Sequence, residues 1–194
     1  MILKKETILK PKMEIKEEKK ESKTEEKMEI SKNPLISDEC IDYLNYRIKQ
    51  EELSSRLYLA MSMYLENVGY IGAAKAWKKD ADDEMTHANW AREYLLSLGI
   101  QPITPTLEAP IQSFTGLPDV ILKTYDHEVI VTKQINDLGK DAMTKGDFLL
   151  FQLVMKYQNE QIEEMDKVTN LRDRLKLFGI SEVSLRMFDN ELGS

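Results

Sequence analysis

The chain has 194 residues, and 27 Lys and Arg against 34 Asp and Glu give it a formal net charge of −7 at pH 7. This acidic balance argues against a nucleic-acid partner, because neutralising phosphates requires a basic surface. No apolar run approaches the roughly 20 residues that span a bilayer, so we expect neither a membrane partner nor a secretory signal. The single cysteine, Cys40, excludes an internal disulfide framework and a four-cysteine metal site. These features favour a cytoplasmic protein.

Residues 1–33 differ in composition from the rest of the chain. They contain Lys/Glu runs such as Lys16-Glu17-Glu18-Lys19-Lys20-Glu21 and no aromatic residue. Such a segment buries too little apolar area to offset the entropy lost on ordering. We therefore expect a charged, disordered leader, followed by one folded domain over residues 34–194. The leader is either a solvated extension or a tail for targeting or partner binding.

The folded part divides into four long helical segments. In each of them, residues suited to burial recur in steps of four and three, which is typical of one buried helix face. The predicted helices are 37–67, 71–98, 116–144 and, after a tight turn at 145–147, a fourth that ends at 178. A second stripe is expected to widen the buried side of the first helix, and it consists of Leu53, Leu57, Met61 and Val68. Ser37 and Ser181 are candidate N-caps, the latter for a short fifth helix.

The connection between the second and third helices is long and resists helical assignment. Residues 101–115 contain three of the six prolines in the chain. A loop of this length inside a compact bundle is expected to cross from one end to the other. Four helices of similar length, two short connections and one crossover predict an all-α four-helix bundle with a short C-terminal fifth helix.

The buried face of every long helix is interrupted near its middle by a carboxylate. The four residues are Glu51, Glu84, Glu128 and Glu164. If the faces were slightly misphased, these side chains would point to solvent, which is the usual place for a charged residue. Four interruptions at one level favour a different interpretation. Converging buried carboxylates repel one another strongly, and metal cations in the same cavity would offset that repulsion.

An imidazole accompanies the second of these carboxylates. His87 lies three residues after Glu84, on the same helix face. Oxygen ligands with one imidazole suit iron or manganese better than structural zinc. The pattern predicts that Glu84 bridges two ions, with His87 on one ion and Glu164 on the other. Glu51 and Glu128 are then terminal ligands.

Further carboxylates lie close in sequence to Glu84 and Glu164. Asp83 precedes Glu84, and Glu160 and Glu163 precede Glu164. They predict either a third, weaker ion site or a solvated acidic face.

Two more residues near the predicted ligands have open roles. Tyr58 lies two turns from Glu51 on the same face, where it either hydrogen-bonds a ligand or serves as a core tyrosine. His127 adjoins Glu128 but points about 100° away from it. We expect His127 to be a surface or packing residue.

Taken as an ordered set, these motifs resemble those of bacterial non-haem ferritins. The residues that carry the resemblance are Glu51-Glu52-Leu53-Ser54-Ser55 with Tyr58, Glu84-Met85-Thr86-His87, Glu128, and Glu160-Gln161 with Glu163-Glu164. The resemblance covers residues 35–192. It implies a ferritin-like four-helix bundle with a fifth short helix, and a homo-oligomeric hollow shell of 24 subunits.

The resemblance also implies an activity and a ligand set. The implied activity is ferroxidase, which oxidises Fe(II) to Fe(III) with O2 or peroxide and stores it as mineral in the shell. The implied ligands of a di-iron centre within each subunit are Glu51, Glu84, His87, Glu128 and Glu164, with Gln161 close by. The implied third iron site consists of Asp83, Glu160, Glu163 and Glu164.

Some features depart from the family pattern. Lys156 stands before Tyr157, where many members carry tryptophan, so an electron-donor role for that position is absent. Asp83 is shorter than the expected glutamate, which weakens the third site. The fourth helix lacks the second Glu-x-x-His of haem-binding bacterioferritins, so we expect no haem.

Two alternative functions remain open from the sequence. The first is a di-iron or di-manganese oxidase or oxygenase that acts on an organic substrate. The second is a non-catalytic subunit that co-assembles into a shell, for which the charged leader is the motivation.

Overall fold

The computed structural model describes residues 35–194, so the predicted leader, residues 1–33, lies outside the described residues. The described part is all-α, as predicted. Its five helices are α1 (Asp38–Asn67), α2 (Ile71–Ser97), α3 (Leu117–Lys145), α4 (Phe148–Phe178) and α5 (Glu182–Leu192). None of these five helices combines the length and the apolar composition that a membrane-spanning helix needs.

The helix ends follow from local side-chain chemistry. The hydroxyl of Ser37 accepts the backbone N–H of Cys40 at 3.2 Å and caps α1. Between α3 and α4, Gly146 adopts a left-handed conformation with φ of 68°. Asp147 follows it and accepts the backbone N–H of Leu150 at 2.9 Å. This turn reverses the chain within two residues, because glycine tolerates positive φ and aspartate caps the next helix.

The helices form two pairs joined by the predicted crossover. α1 packs along α2, and α3 packs along α4. Residues 98–116 connect the pairs without regular secondary structure. The crossover contacts α1, since the backbone N–H of Ile103 donates to Asn45 Oδ1 at 2.8 Å and Lys49 pairs with Glu108 at 3.0 Å. The four-helix bundle with a long crossover is therefore confirmed.

The core consists of two apolar clusters separated by a polar layer. One cluster includes Met61, Leu65, Trp77, Ile121, Leu171 and Phe188. The other includes Leu44, Ile48, Leu95, Ile135, Leu150 and Val154. Between them lie the buried side chains Glu51, Glu84, Glu128 and Gln161. The apolar clusters therefore hold the four helices in register on both sides of the polar layer.

The predicted second stripe of α1 is largely wrong. Leu53 and Leu57 are only half-buried, and Val68 is exposed, whereas Met61 is buried. The second buried face of α1 is instead the one that meets α3. It includes Arg47, which donates to Gln134 at 2.9 Å, and Ser54, which contacts His127 at 2.7 Å. Hydrophobicity alone could not reveal this face, because its polar residues are buried against polar partners on α3.

The fifth helix docks on the first turn of α2. Oδ1 of Asp189 accepts the backbone N–H of Ala73 at 2.7 Å, so α5 supplies a cap for α2. The contact also depends on Gly72. A Cβ at this position would lie 2.0 Å from the backbone oxygen of Asp189 and 2.8 Å from the backbone nitrogen of Gly193.

Gly72→Ala should displace α5 and lower the free energy of unfolding by about 1–3 kcal/mol, because the added methyl group meets rigid backbone atoms. Differential scanning calorimetry of the assembled protein measures the effect as a lower unfolding temperature. Lys75→Ala, on the exposed face of the same helix, is the matched control and should leave the transition unchanged. An unaltered transition for Gly72→Ala would contradict this account of α5 docking.

Candidate metal centre

Three of the predicted ligands come together in the polar layer. One ligand atom each from Glu51, Glu84 and His87 lies within 4.8 Å of the others, and among residues 35–194 this is the one such group. All three side chains are buried. Nδ1 of His87 lies 3.1 Å from Oε2 of Glu84, which places both on the same side of α2. Two carboxylates and an imidazole at this spacing can hold one iron or manganese ion.

Glu128 lies in the same layer and is held by two neighbours. The hydroxyl of Tyr58 donates to its Oε1, and the amide of Gln161 donates to its Oε2 at 2.7 Å. Glu128 is only 1% exposed. Tyr58 therefore contacts a predicted ligand rather than apolar residues alone, and Gln161 orients the same carboxylate from α4.

His127 is a packing residue, one of the two roles that its position allowed. Its ring meets the edge of the Tyr58 ring at 5.6 Å, and its Nε2 lies 2.7 Å from the hydroxyl of Ser54. Burial lowers the pKa of His127 to about 4, so this imidazole is neutral at physiological pH.

Glu164 lies outside the compact group. Its carboxylate pairs with Lys167, one turn further along α4. Lys167 also lies 3.1 Å from Oδ1 of Asp80 on α2. Burial opposes the charged form of Lys167, but the carboxylates of Asp80 and Glu164 outweigh it and raise the pKa of Lys167 above its ordinary value. The ammonium therefore stays charged.

The residues of the predicted third site, Asp83, Glu160, Glu163 and Glu164, line one cavity, and most of them have other contacts. Asp83 pairs with Lys79 at 2.5 Å. Oε1 of Glu160 lies 3.6 Å from Nε2 of His87. Glu163 is exposed. The third site thus stays a prediction.

Burial in the polar layer shifts its carboxyl groups towards the protonated form when no cation is bound. Burial, followed by repulsion from Glu51 and Glu128, raises the pKa of Glu84 well above its ordinary value. Burial also raises the pKa of Glu128, although hydrogen bonds from Tyr58 and Gln161 act in the opposite direction. The pKa of Glu164 is raised by burial, despite the nearby Lys167. A divalent cation in the layer would replace these protons and offset the repulsion.

Arg47 is a residue of the centre that the sequence reasoning missed. It is buried, with Nε 2.7 Å from Oε1 of Glu51 and Nη1 donating to Gln134 at 2.9 Å. Its charge offsets that of Glu51 in the core. The spacing of four residues from Arg47 to Glu51 is a signal that could have identified the pair.

The imidazole of His87 packs against Trp90, which in turn contacts Tyr157. The rings of His87 and Trp90 lie 4.7 Å apart, and those of Trp90 and Tyr157 lie 5.3 Å apart. The hydroxyl of Tyr157 donates to the backbone oxygen of His87 at 2.7 Å. The ammonium of Lys156 lies over the ring of Trp90, with Nζ 3.8 Å from the ring centroid. Trp90 was also missed, although its position three residues after His87 places it on the same face of α2.

Comparisons with known proteins agree with this architecture. Residues 41–178 match the ferritin family, described as a ferritin-like domain. A bacterial non-heme ferritin from Escherichia coli O157:H7 is 34% identical over 160 residues, which cover 82% of this chain and 97% of the relative. One from Campylobacter jejuni is 32% identical over 145 residues, with coverages of 75% and 87%.

Solved structures give the same result. An open pore ferritin from the hyperthermophilic archaeon Archaeoglobus fulgidus superposes with a TM-score of 0.79 at 28% identity, and the match covers 81% of this chain and 98% of that one. A humanized archaeal ferritin also matches with a TM-score of 0.79. The family match, the five-helix architecture and the similar proteins together show that this chain belongs to the ferritin family.

Proposed function

We propose that this protein is a cytoplasmic iron-storage ferroxidase. Fe(II) is its substrate, and O2 or peroxide is the oxidant. Two Fe(II) ions bound in one subunit supply the two electrons that reduce O2 to hydrogen peroxide, or hydrogen peroxide to water, with uptake of two protons. The Fe(III) product passes to a mineral inside a shell of 24 subunits. Membership of the ferritin family supports the storage function.

One observation carries the catalytic part of the proposal. Glu51, Glu84 and His87 present ligand atoms within 4.8 Å of one another inside the bundle. Three protein ligands leave open positions on an ion, which is what a redox reaction with a small oxidant requires. A purely structural metal site would instead close the coordination sphere.

The second ion position extends from the first towards α3 and α4. Glu84 would bridge the two ions, Glu128 would be the terminal ligand, and Glu164 would complete the position. Tyr58 and Gln161 fix the carboxylate of Glu128 at its two oxygens, so this ligand is preorganised. The weaker third site remains part of the proposal, with Asp83, Glu160 and Glu163 as its residues in addition to Glu164.

Replacing Glu84 should slow the initial rate of Fe(II) oxidation by at least about tenfold, because the bridging carboxylate is lost. Both Glu84→Ala and the isosteric Glu84→Gln should show the effect while keeping the native helical content. Stopped-flow absorbance of Fe(III) formation measures the rate. Glu93→Gln, an exposed position further along α2, is the matched control. Unchanged oxidation kinetics in both Glu84 variants would exclude the di-iron assignment.

Ion binding should release protons and tighten as the pH rises. The pKa of Glu84, which burial and the neighbouring carboxylates raise well above its ordinary value, means that an arriving cation must displace a proton from the apo centre. The same shift makes the folded apo protein bind protons more tightly than the unfolded chain, so this contribution to its stability falls as the pH rises above the ordinary glutamate value of 4.5.

Calorimetric titration of the apo protein with Zn²⁺, a redox-inert probe, should show this release in buffers of different ionisation enthalpy. The affinity should increase between about pH 5.5 and about pH 7.5. Glu84→Gln should release fewer protons, because its amide has none to exchange, and Glu93→Gln should behave like the unmodified protein. Binding that is independent of pH and buffer would contradict the protonated apo centre.

Native mass spectrometry should give an assembly of 24 chains of 22.5 kDa. Bound iron per chain can be measured in the same preparation. A monomer or dimer that oxidises an organic substrate would support the oxidase alternative. A shell that does not oxidise Fe(II) would support the non-catalytic subunit.

A further inference from the structure

Glu164, a predicted ligand of the centre, already forms an ion pair with a lysine of the same chain. Lys167 pairs with Glu164 on the same helix and with Asp80 on the neighbouring one. The side chain of Asp80 is 14% exposed, and that of Glu164 is 17% exposed. The ammonium thus lies between two largely buried carboxylates, at the edge of the metal centre.

This arrangement differs from that of the other ligand with a cationic neighbour. Arg47 pairs with Glu51, yet Glu51 still belongs to the compact group with Glu84 and His87. Glu164, in contrast, lies outside that group and contacts Lys167. Arg47 therefore leaves its ligand available, whereas Lys167 occupies a carboxylate that the second ion needs.

Lys167 can remain charged if Glu164 moves away from it, because its side chain is partly exposed and keeps a second carboxylate partner in Asp80. Its side chain is 36% exposed and borders a cavity of about 470 Å³. The charged residues that line this cavity are Lys79, Asp80, Asp83, Glu160, Glu163, Glu164 and Lys167. If Glu164 turns towards a metal ion, Asp80 still anchors the ammonium, which then repels that ion from a short distance.

We propose that Lys167, anchored by Asp80, is a positioning residue that holds Glu164 away from the centre until a second metal ion displaces it. The two ions then bind in order, with the first at Glu51, Glu84 and His87 and the second more weakly. Oxidation, which needs both ions, starts only when the second position fills. This proposal rests on the two-ion centre proposed above.

Replacing Lys167 should tighten binding of the second ion at least tenfold without changing the first. Titration of the apo assembly with Co²⁺ measures both steps, because its visible absorption bands report the coordination of each ion as it binds. Lys167→Met and Lys167→Gln remove the charge by different chemistry. Asp80→Asn combined with Lys167→Met also removes the carboxylate that would otherwise lose its partner. In all three variants the second binding step should approach the first, so that the two steps are less well separated.

Two controls separate this role from a structural one. Lys167→Arg keeps the cation and should retain two separate steps. Lys78→Met removes an exposed lysine that pairs with Asp82 on α2, and it should also leave the titration unchanged. Native mass and circular dichroism confirm that each variant is assembled and folded.

The possible failures are distinguishable. If the charge-removing variants bind two ions with the original separation of steps, or if Lys167→Arg behaves like Lys167→Met, the role of Lys167 is wrong while the two-ion centre stands. If the unmodified protein binds fewer than two Co²⁺ ions per chain, the two-ion centre is wrong, and the role of Lys167 fails with it.

Discussion

The burial of carboxylates at one level of the bundle is the constraint on which the rest of the structure depends. Removing a carboxylate from water is costly unless it gains a partner or a proton. Each buried glutamate meets this requirement differently. Glu51 pairs with Arg47, and Glu128 accepts hydrogen bonds from Tyr58 and Gln161. Glu84 has His87 beside it and a raised pKa. These partners and protons offset the cost of burying the carboxylates when no metal ion is bound, and a bound cation would also offset that cost.

The remaining architecture fixes the height of this polar layer. Apolar clusters lie on both sides of it, so a helix that slid along its axis would bring carboxylates into apolar surroundings. The short turn at Gly146 and the docking of α5 on Gly72 limit such movement at the helix ends. The crossover, residues 98–116, contacts α1 through Asn45 and Lys49. The packing along the whole length of the helices thus keeps the buried carboxylates at the same level.

The sequence predicted the fold and the level of the buried glutamates well, because both are encoded along single helices. Steps of four and three identify a buried face, and a glutamate on such a face is conspicuous. Glu164 shows the limit of this reasoning, since it lies on the predicted face but keeps some solvent exposure and pairs with Lys167. The partner that anchors Lys167, Asp80, is 87 residues away on another helix. Such lateral contacts depend on how helices are rotated against each other, and helix periodicity does not report that rotation.

The surroundings of His87 include an indole ring that comes from α2 rather than from α4. Lys156 stands where a tryptophan was expected from the family resemblance, yet an indole ring still lies beside Tyr157, because Trp90 provides it from α2. The ammonium of Lys156 lies over that ring. A cation–π contact stabilises this geometry. Trp90 thus packs against the ammonium of Lys156, the imidazole of His87 and the ring of Tyr157, and these contacts restrict the orientation of the imidazole.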